Sequence, residues 1–324
     1  ASRALRRSSR AATNRYAHRD RPLRHTRLTG SETVQPVPSD AMTIRLTIQR
    51  EAWRQHVEET IASTAHPVPV VKGNGYGLGR ARLAGIAADL ADTLAVGTVR
   101  ELDDLPTAIR PVVLTPTLET PPTDDAILTV GAEEHIAALR GWSGDVLVKL
   151  ESSMHRYGGG IELIDTARAA GLRVRGVSIH PPLAGTNEEH LTEIAAHADR
   201  LDDDLEIWIS HVDPGAVDRL PSGRTYRVRL GTTLWHGRRD LMHLEARVLD
   251  RRPARTGTSA GYRAVAVPSD GHLVMIGAGS ANGVATLPDG LSPFHFHQRR
   301  LDLLEPPHMH TSMLFVPVDV PSPA

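Results

Sequence analysis
The chain has 324 residues, 40% of them hydrophobic, a formal net charge of -1 and no cysteine. Disulfides and thiolate metal sites are therefore excluded. The near-zero charge gives no chain-wide bias toward nucleic acid or acidic lipid, and no apolar stretch reaches the roughly 18 residues of a membrane span.

Residues 1–41 stand apart. Arg3, Arg6, Arg7, Arg10, Arg15, Arg19, Arg21, Arg24 and Arg27 crowd a segment with few large apolar side chains. Such a segment cannot bury enough surface to fold alone, and it lacks the apolar core of a secretory signal. Its composition suits a disordered basic arm or an organellar transit peptide. The simplest expectation is a non-functional extension ahead of a start at Met42.

From Met42 short apolar runs recur. A strand is predicted over 43–48 and a helix over 51–65, where Trp53, Val57 and Ile61 repeat every four residues. A strand over 68–71 precedes a helix around 82–90. Strands follow at 93–96, 111–114 and 126–130, then a helix at 133–139. Further strands at 145–150, 174–179, 206–210 and 227–230 alternate with helices at 161–170 and 190–201. Alternation predicts a parallel sheet. Eight strand units from Val68 onward predict a (β/α)8 TIM-type barrel, with an open doubly wound sheet as the alternative. Beyond residue 240 the helical period fades. Strand-like runs at 244–248, 262–267, 272–276 and 313–318 predict a smaller, mostly-β C-terminal domain. The expected division is 1–41, 42–240 (its first strand free to join the β domain) and 241–324.

The most telling run is Val68-Pro69-Val70-Val71-Lys72, followed at once by Gly73-Asn74-Gly75-Tyr76-Gly77. A continuous apolar run fits a strand buried on both faces, and α/β folds place their chemistry at such carboxyl ends. A desolvated lysine there loses part of its proton affinity, so a neutral amine can attack a carbonyl to form a Schiff base. The glycines let backbone N–H groups approach an anion such as a phosphate. The plainer alternative is a surface lysine beside a flexible loop. Lys149, His180, His211 and Arg229 also fall at or near strand ends, as active residues of a barrel should.

These motifs resemble the alanine racemases, pyridoxal-phosphate enzymes with a barrel and a β domain. Val71-Lys72-Gly73-Asn74-Gly75-Tyr76-Gly77 resembles the family's V-K-A-N-A-Y-G. Val148-Lys149-Leu150-Glu151-Ser152-Ser153-Met154-His155-Arg156-Tyr157-Gly158 is similar to L-K-x-D-T-G-M-x-R-L-G. Gly176-Val177-Ser178-Ile179-His180 is similar to G-x-x-T-H, and Val228-Arg229-Leu230-Gly231 to V-R-x-G. Ala260-Gly261-Tyr262 falls where the family carries its second base, and His308-Met309-His310 resembles S-M-D. The resemblance spans about residues 42–320.

It implies pyridoxal 5'-phosphate as cofactor and interconversion of L- and D-alanine by two bases, Lys72 and Tyr262. His180 would polarise Tyr262. Tyr76 and the backbone N–H of Gly215 would hold the phosphate, and Arg229 would face the pyridine nitrogen. Arg156 would contact cofactor and substrate. Lys149 would be carbamylated to orient Arg156, and the backbone around Met309 would bind the substrate carboxylate. A cytoplasmic homodimer with shared active sites is also implied, with a small amino acid as substrate, no nucleic acid, no membrane and no metal.

The chain departs from the family at several points. Pro214-Gly215 replaces N-S, so a phosphate-binding hydroxyl is lost, and Asn282 and His310 replace aspartates. Gly73 and Gly75 replace alanines, which should loosen the phosphate turn. The family's later phosphate-binding tyrosine has no counterpart, so the β domain reads as short of its last strands. A catalytically weak paralogue with a regulatory or cofactor-carrying role, and a racemase for another small amino acid, are the alternatives. His295, His297, His308 and His310 alternate in pairs, which would also suit a four-histidine metal site.

Overall fold
The computed structural model describes residues 43–288 and 291–323. The arginine-rich segment 1–41 and Met42 lie outside the described residues. The element order begins β1 (Ile44–Ile48), α1 (Arg50–Ala62), β2 (Pro67–Pro69), α2 (Arg80–Ala88), β3 (Thr93–Val96), β4 (Arg110–Val113), β5 (Leu128–Val130) and α3 (Glu133–Ala138). It continues with β6 (Asp145–Lys149), α4 (Glu162–Ala169), β7 (Arg173–Ser178), α5 (Asn187–Ala198), β8 (Glu206–Ile209), β9 (Tyr226–Leu230) and α6 (Thr232–His236). The alternation expected from the apolar runs is present, with boundaries shifted by a few residues.

Six of these strands form a parallel sheet in the order β2-β9-β8-β7-β6-β5, and β3 pairs in parallel with β4. Single parallel bridges, Val70 to Ala95 and Val112 to Ile127, join the β3–β4 pair to the two edges of the larger sheet. Every residue of β3 and of β9 is buried, as expected for strands covered on both faces.

Two apolar clusters separate the faces. One gathers the buried sides of the helices, including Trp53, Val57 and Ile61 of α1, against alternate strand residues such as Val148, Val177 and Ile209. The other holds strand-borne residues from the opposite face: Val68, Val70, Ala95, Val112, Ile127, Leu147 and Trp208. Side chains alternate across a strand, so this second set fixes which residues share its face. α5 starts cleanly because Thr186 and Glu189 form a capping box.

Two indoles tie the N-terminal helix to the sheet. Trp53 Nε1 donates to Trp235 O at 3.0 Å and Trp235 Nε1 donates to Val70 O at 2.7 Å. Trp235→Phe removes a buried donor and opens a void. We expect a loss of about 2–4 kcal/mol, read as a lower urea midpoint at unchanged slope.

The remaining strands are antiparallel. β10 (Met242–Ala246) pairs with β1, which brings Leu46 opposite Leu244. β11 (Val248–Ala254), β12 (Ser259–Ala260), β13 (Val265–Ala266), β14 (Gly271–Ile276), β15 (His295–Phe296), β16 (Arg299–Arg300), β17 (Asp302–Leu303) and β18 (Ser312–Pro317) follow. A four-stranded sheet runs β11-β14-β18-β17 over its own core of Val274, Ile276, Leu314 and Val316. The strand expected over 262–267 is instead a turn followed by the two-residue β13. Gly261, at φ 78°, bends the chain there, so Tyr262 is carried on a turn.

Candidate active site
The strand register explains why polar groups converge. Trp208 faces the helix-free cluster, and the next residue on its side of β8 is Ser210. By the same alternation Leu147 leads to Lys149 and Val70 leads to Lys72. Arg227 stacks over Trp208 with its Cζ 5.2 Å from the ring, so Arg229 follows on that face of β9. Beside them the parallel register sets Lys149 against Ser178, and His180 lies two residues further along.

These ends surround a cavity of about 440 Å³ whose wall includes Lys72, Tyr76, Arg156, His180, Arg229 and Thr232. Among the described residues no aspartate or glutamate lines it. The donor set is therefore cationic and hydroxylic, which fits an anionic ligand.

Arg229 is buried, and its hydrogen bonds organise the floor. Nη1 donates to Ser178 Oγ at 2.5 Å, and Nη2 donates to Ile179 O at 2.7 Å and Ser210 Oγ at 3.1 Å. Burial lowers its pKa to about 10, so it stays charged at neutral pH. Nη2 also meets His180 Nδ1 at 3.1 Å, and Ser210 Oγ lies 2.5 Å from that same nitrogen. An arginine can only donate, so Nδ1 is an acceptor and the imidazole proton sits on Nε2. Desolvation, then Arg229 and His211, push the His180 pKa down to about 2, which keeps this ring neutral. His211 stacks on it, 4.5 Å between centroids, with Nδ1 donating to Pro181 O at 2.8 Å.

Both lysines are perturbed. Lys72 reaches solvent, yet the surrounding walls, and then Arg156 and Arg229, lower its pKa. Glu101 opposes that shift and is held by the N–H groups of Gly97 at 2.7 Å and Gly73 at 3.2 Å. Lys149 is buried, and no acid pairs with its ammonium among the described residues. Desolvation, then Arg229 and Arg156, lower its pKa to about 7.

The turn after Lys72 passes through positive φ at Gly73, Gly75, Tyr76, Gly77 and Gly79. At Gly75 an added Cβ would lie 2.5 Å from Arg80 N. Glycine there is thus required by close packing rather than loosening the turn. At Gly231 an added Cβ would lie 2.3 Å from the Tyr76 hydroxyl, so this glycine gives the phenol its place. Thr232 and Thr233 also line the cavity.

Several sequence-derived candidates lie elsewhere. Gly215 does not line the cavity, and its N–H donates to Asp213 Oδ1 at 3.0 Å. The donor expected for a phosphate is thus already engaged. Tyr262, 88% exposed, and Met309, 65% exposed, are also absent from the wall of this cavity. They occupy the surface of the β region, where the Tyr262 ring lies tilted against that of His308, 4.5 Å between centroids. Among the described residues no group of three or more histidines and carboxylates is arranged for a metal. The alternating histidines therefore do not form the four-histidine site.

The sequence reading missed Ser178, Ser210, Thr232 and Thr233. For the serines the signal was alternation: Ser210 lies two residues beyond Trp208 of the helix-free face, and Ser178 alternates with Val177 and Ile179 of the helix-facing cluster.

Comparison with known proteins places the geometry. The family model described as alanine racemase, N-terminal domain, matches residues 48–237. No curated protein sequence matches significantly. Among solved structures, the chain is similar to alanine racemase from Bartonella henselae with covalently bound pyridoxal phosphate, at TM-score 0.66 and 19% identity over 87% of this chain and 88% of that one. It is similar to alanine racemase from Acinetobacter baumannii, at TM-score 0.63 and 16% identity over 87% and 88%. The enzyme from D-cycloserine-producing Streptomyces lavendulae gives TM-score 0.62 and 20% identity over 86% and 85%.

Proposed function
Because the chain belongs to the alanine racemase family, we propose that it is a pyridoxal-phosphate-dependent racemase of a small amino acid, with alanine as the first candidate. The observation that carries this reading is the acid-free cavity, in which Lys72, Arg156 and Arg229 face Tyr76, Thr232 and Thr233. Such a donor set suits a phosphorylated, electron-poor ring. The two single bridges at Val70 and Val112 support reading the eight strands β2–β9 as a closed (β/α)8 barrel. Residues 42–240 would form it, and 241–324 a β domain.

When bound, pyridoxal phosphate supplies an electron sink that acidifies the α-hydrogen of an attached amino acid. The protein's residues do the rest. Lys72, whose lowered proton affinity makes its amine easier to deprotonate, would supply the covalent attachment and accept a proton on one face. Tyr76, with the two threonines, would hold the phosphate. Arg229, charged and donating, would keep the ring nitrogen unprotonated. Lys149, with its pKa lowered to about 7, is partly neutral at pH 7 and can add carbon dioxide, releasing a proton. The resulting carbamate would place a negative charge between Arg229 and Arg156 and orient the latter.

The second base would come from another copy. Tyr262 and Met309 are exposed and lie outside the wall of their own chain's cavity. That supports a homodimer in which each subunit supplies Tyr262 to its partner's site. The engaged N–H of Gly215 favours a second reading, a cofactor-binding paralogue with weak activity. Loss of α-deuterium from labelled L- and D-alanine, by the full chain loaded with pyridoxal phosphate, separates the two. Exchange from both enantiomers is expected, and Tyr262→Phe should slow one far more than the other. No exchange from either would sink the alanine racemase reading.

A further inference from the structure
We infer that Glu305 and His308 are positioning residues for Tyr262, fixing the direction in which its phenol leaves the protein surface. The inference rests on the two-base reading above and adds to it a device that holds the second base.

Tyr262 presents a problem that the fold must solve. It is 88% exposed and sits on a turn between the two-residue strands β12 and β13. Little of its own side chain is buried. A base that must meet an α-hydrogen in another subunit cannot be left to sample rotamers, since ordering it on binding would add an entropic penalty to every turnover.

Glu305 supplies the anchor from beneath. Its side chain is 1% exposed. Its carboxylate accepts the backbone N–H of Tyr262 and of Arg263, each at 3.0 Å, and His308 Nε2 at 2.5 Å. Burial alone would raise the Glu305 pKa, but the hydrogen bonds from His308, Arg263 and Tyr262 outweigh it and lower the pKa. The carboxylate is thus ionised at neutral pH and accepts from three donors. The fit is close enough that a Cβ at Gly261 would lie 2.1 Å from Glu305 Oε1.

His308 supplies the lateral contact. Its ring lies 4.5 Å from the Tyr262 ring at an interplanar angle of 53°. Its backbone is pinned on both sides: its carbonyl accepts Ser280 N at 2.8 Å, and its N–H donates to Thr311 O at 2.9 Å. One buried acid therefore fixes the backbone under Tyr262 and orients the ring beside its phenol. An ionised carboxylate in such a place is expensive to bury unless fully paired, and its partners here are the Tyr262 turn and the histidine against it.

The test uses the full chain loaded with pyridoxal phosphate. Glu305→Gln and His308→Gln are compared with Tyr262→Phe for α-deuterium loss from L- and D-alanine. Both positioning variants should slow the same enantiomer that Tyr262→Phe slows, by roughly 10- to 100-fold, the penalty of misplacing a catalytic group by about 1 Å. The other enantiomer should stay within about threefold, and the visible absorbance of the bound cofactor should be unchanged. In parallel, amide hydrogen exchange at Tyr262 and Arg263 should accelerate in Glu305→Gln, while β14 keeps its protection. Equal loss for both enantiomers, or no loss while Tyr262→Phe remains one-sided, would overturn the inference. A symmetric Tyr262→Phe would overturn the two-base reading instead, which keeps the two failures distinct.

Discussion
Lys72→Ala should abolish the visible absorbance that remains with the protein after free pyridoxal phosphate is removed. α-Proton exchange should fall on the order of 10⁴-fold, the upper end of what a positioned acid–base group contributes. Among the residues lining the cavity, Lys72 alone carries a primary amine, so no neighbour can take over the attachment. Lys149 is buried and is not part of the cavity wall. The control is Lys72→Arg, which keeps a cation and offers no nucleophile. It should lose the absorbance equally. If Arg retained it, electrostatic binding rather than covalent attachment would explain the cofactor's retention. A Lys72→Ala protein that keeps both absorbance and exchange would end the assignment.

Lys72 was legible because two signals coincide in the sequence: the apolar run of β2 and the glycine turn after it. Lys149, His180 and Arg229 were legible for a related reason, since the ends of apolar runs mark the ends of strands. Their partners were not. Ser178 ends β7 and Ser210 follows β8, and only the structure shows that both accept from Arg229. Thr232 and Thr233 open a five-residue helix whose start depends on Gly231 accommodating the Tyr76 hydroxyl. Tyr262 was found by motif but placed on the wrong kind of element. Val265 and Val267 suggested a strand, while Gly261 at positive φ and the carboxylate of Glu305 hold the segment as a turn. Glu305 lies 43 residues beyond the amide it accepts, a separation that no local pattern encodes. Gly215 shows the reverse failure. It follows β8, but Asp213, two residues earlier, captures its N–H.

Arg229→Leu should separate stability from function. The guanidinium is buried and forms no ion pair with an acid among the described residues, and desolvation lowers its pKa to about 10. The charge is retained at an energetic cost, opposed by hydrogen bonds to Ser178, Ile179 and Ser210. Replacing buried charged groups by well-packed apolar side chains is often neutral or stabilising, by about 1–4 kcal/mol where ion pairs were replaced. The carbonyl of Ile179 left without this donor offsets about 1–3 kcal/mol of that gain. Cofactor-free Arg229→Leu should therefore melt no lower than the parent protein. Arg229 also depresses the affinity of Lys149 for its proton. With the folded pKa near 7 and the unfolded value near 10.5, the unfolded chain binds more protons between those limits. Stability must then rise with pH across that window. In Arg229→Leu the Lys149 pKa moves up, the window narrows from below, and the rise should begin at a higher pH. Exchange by the loaded variant should nonetheless fall roughly 100-fold, because the preorganised donor that would meet the ring is lost and His180 Nδ1 keeps only Ser210 as a partner. A variant that melts well below the parent would show that the hydrogen bonds outweigh the desolvation. Full activity in Arg229→Leu would remove Arg229 from the ring-nitrogen role.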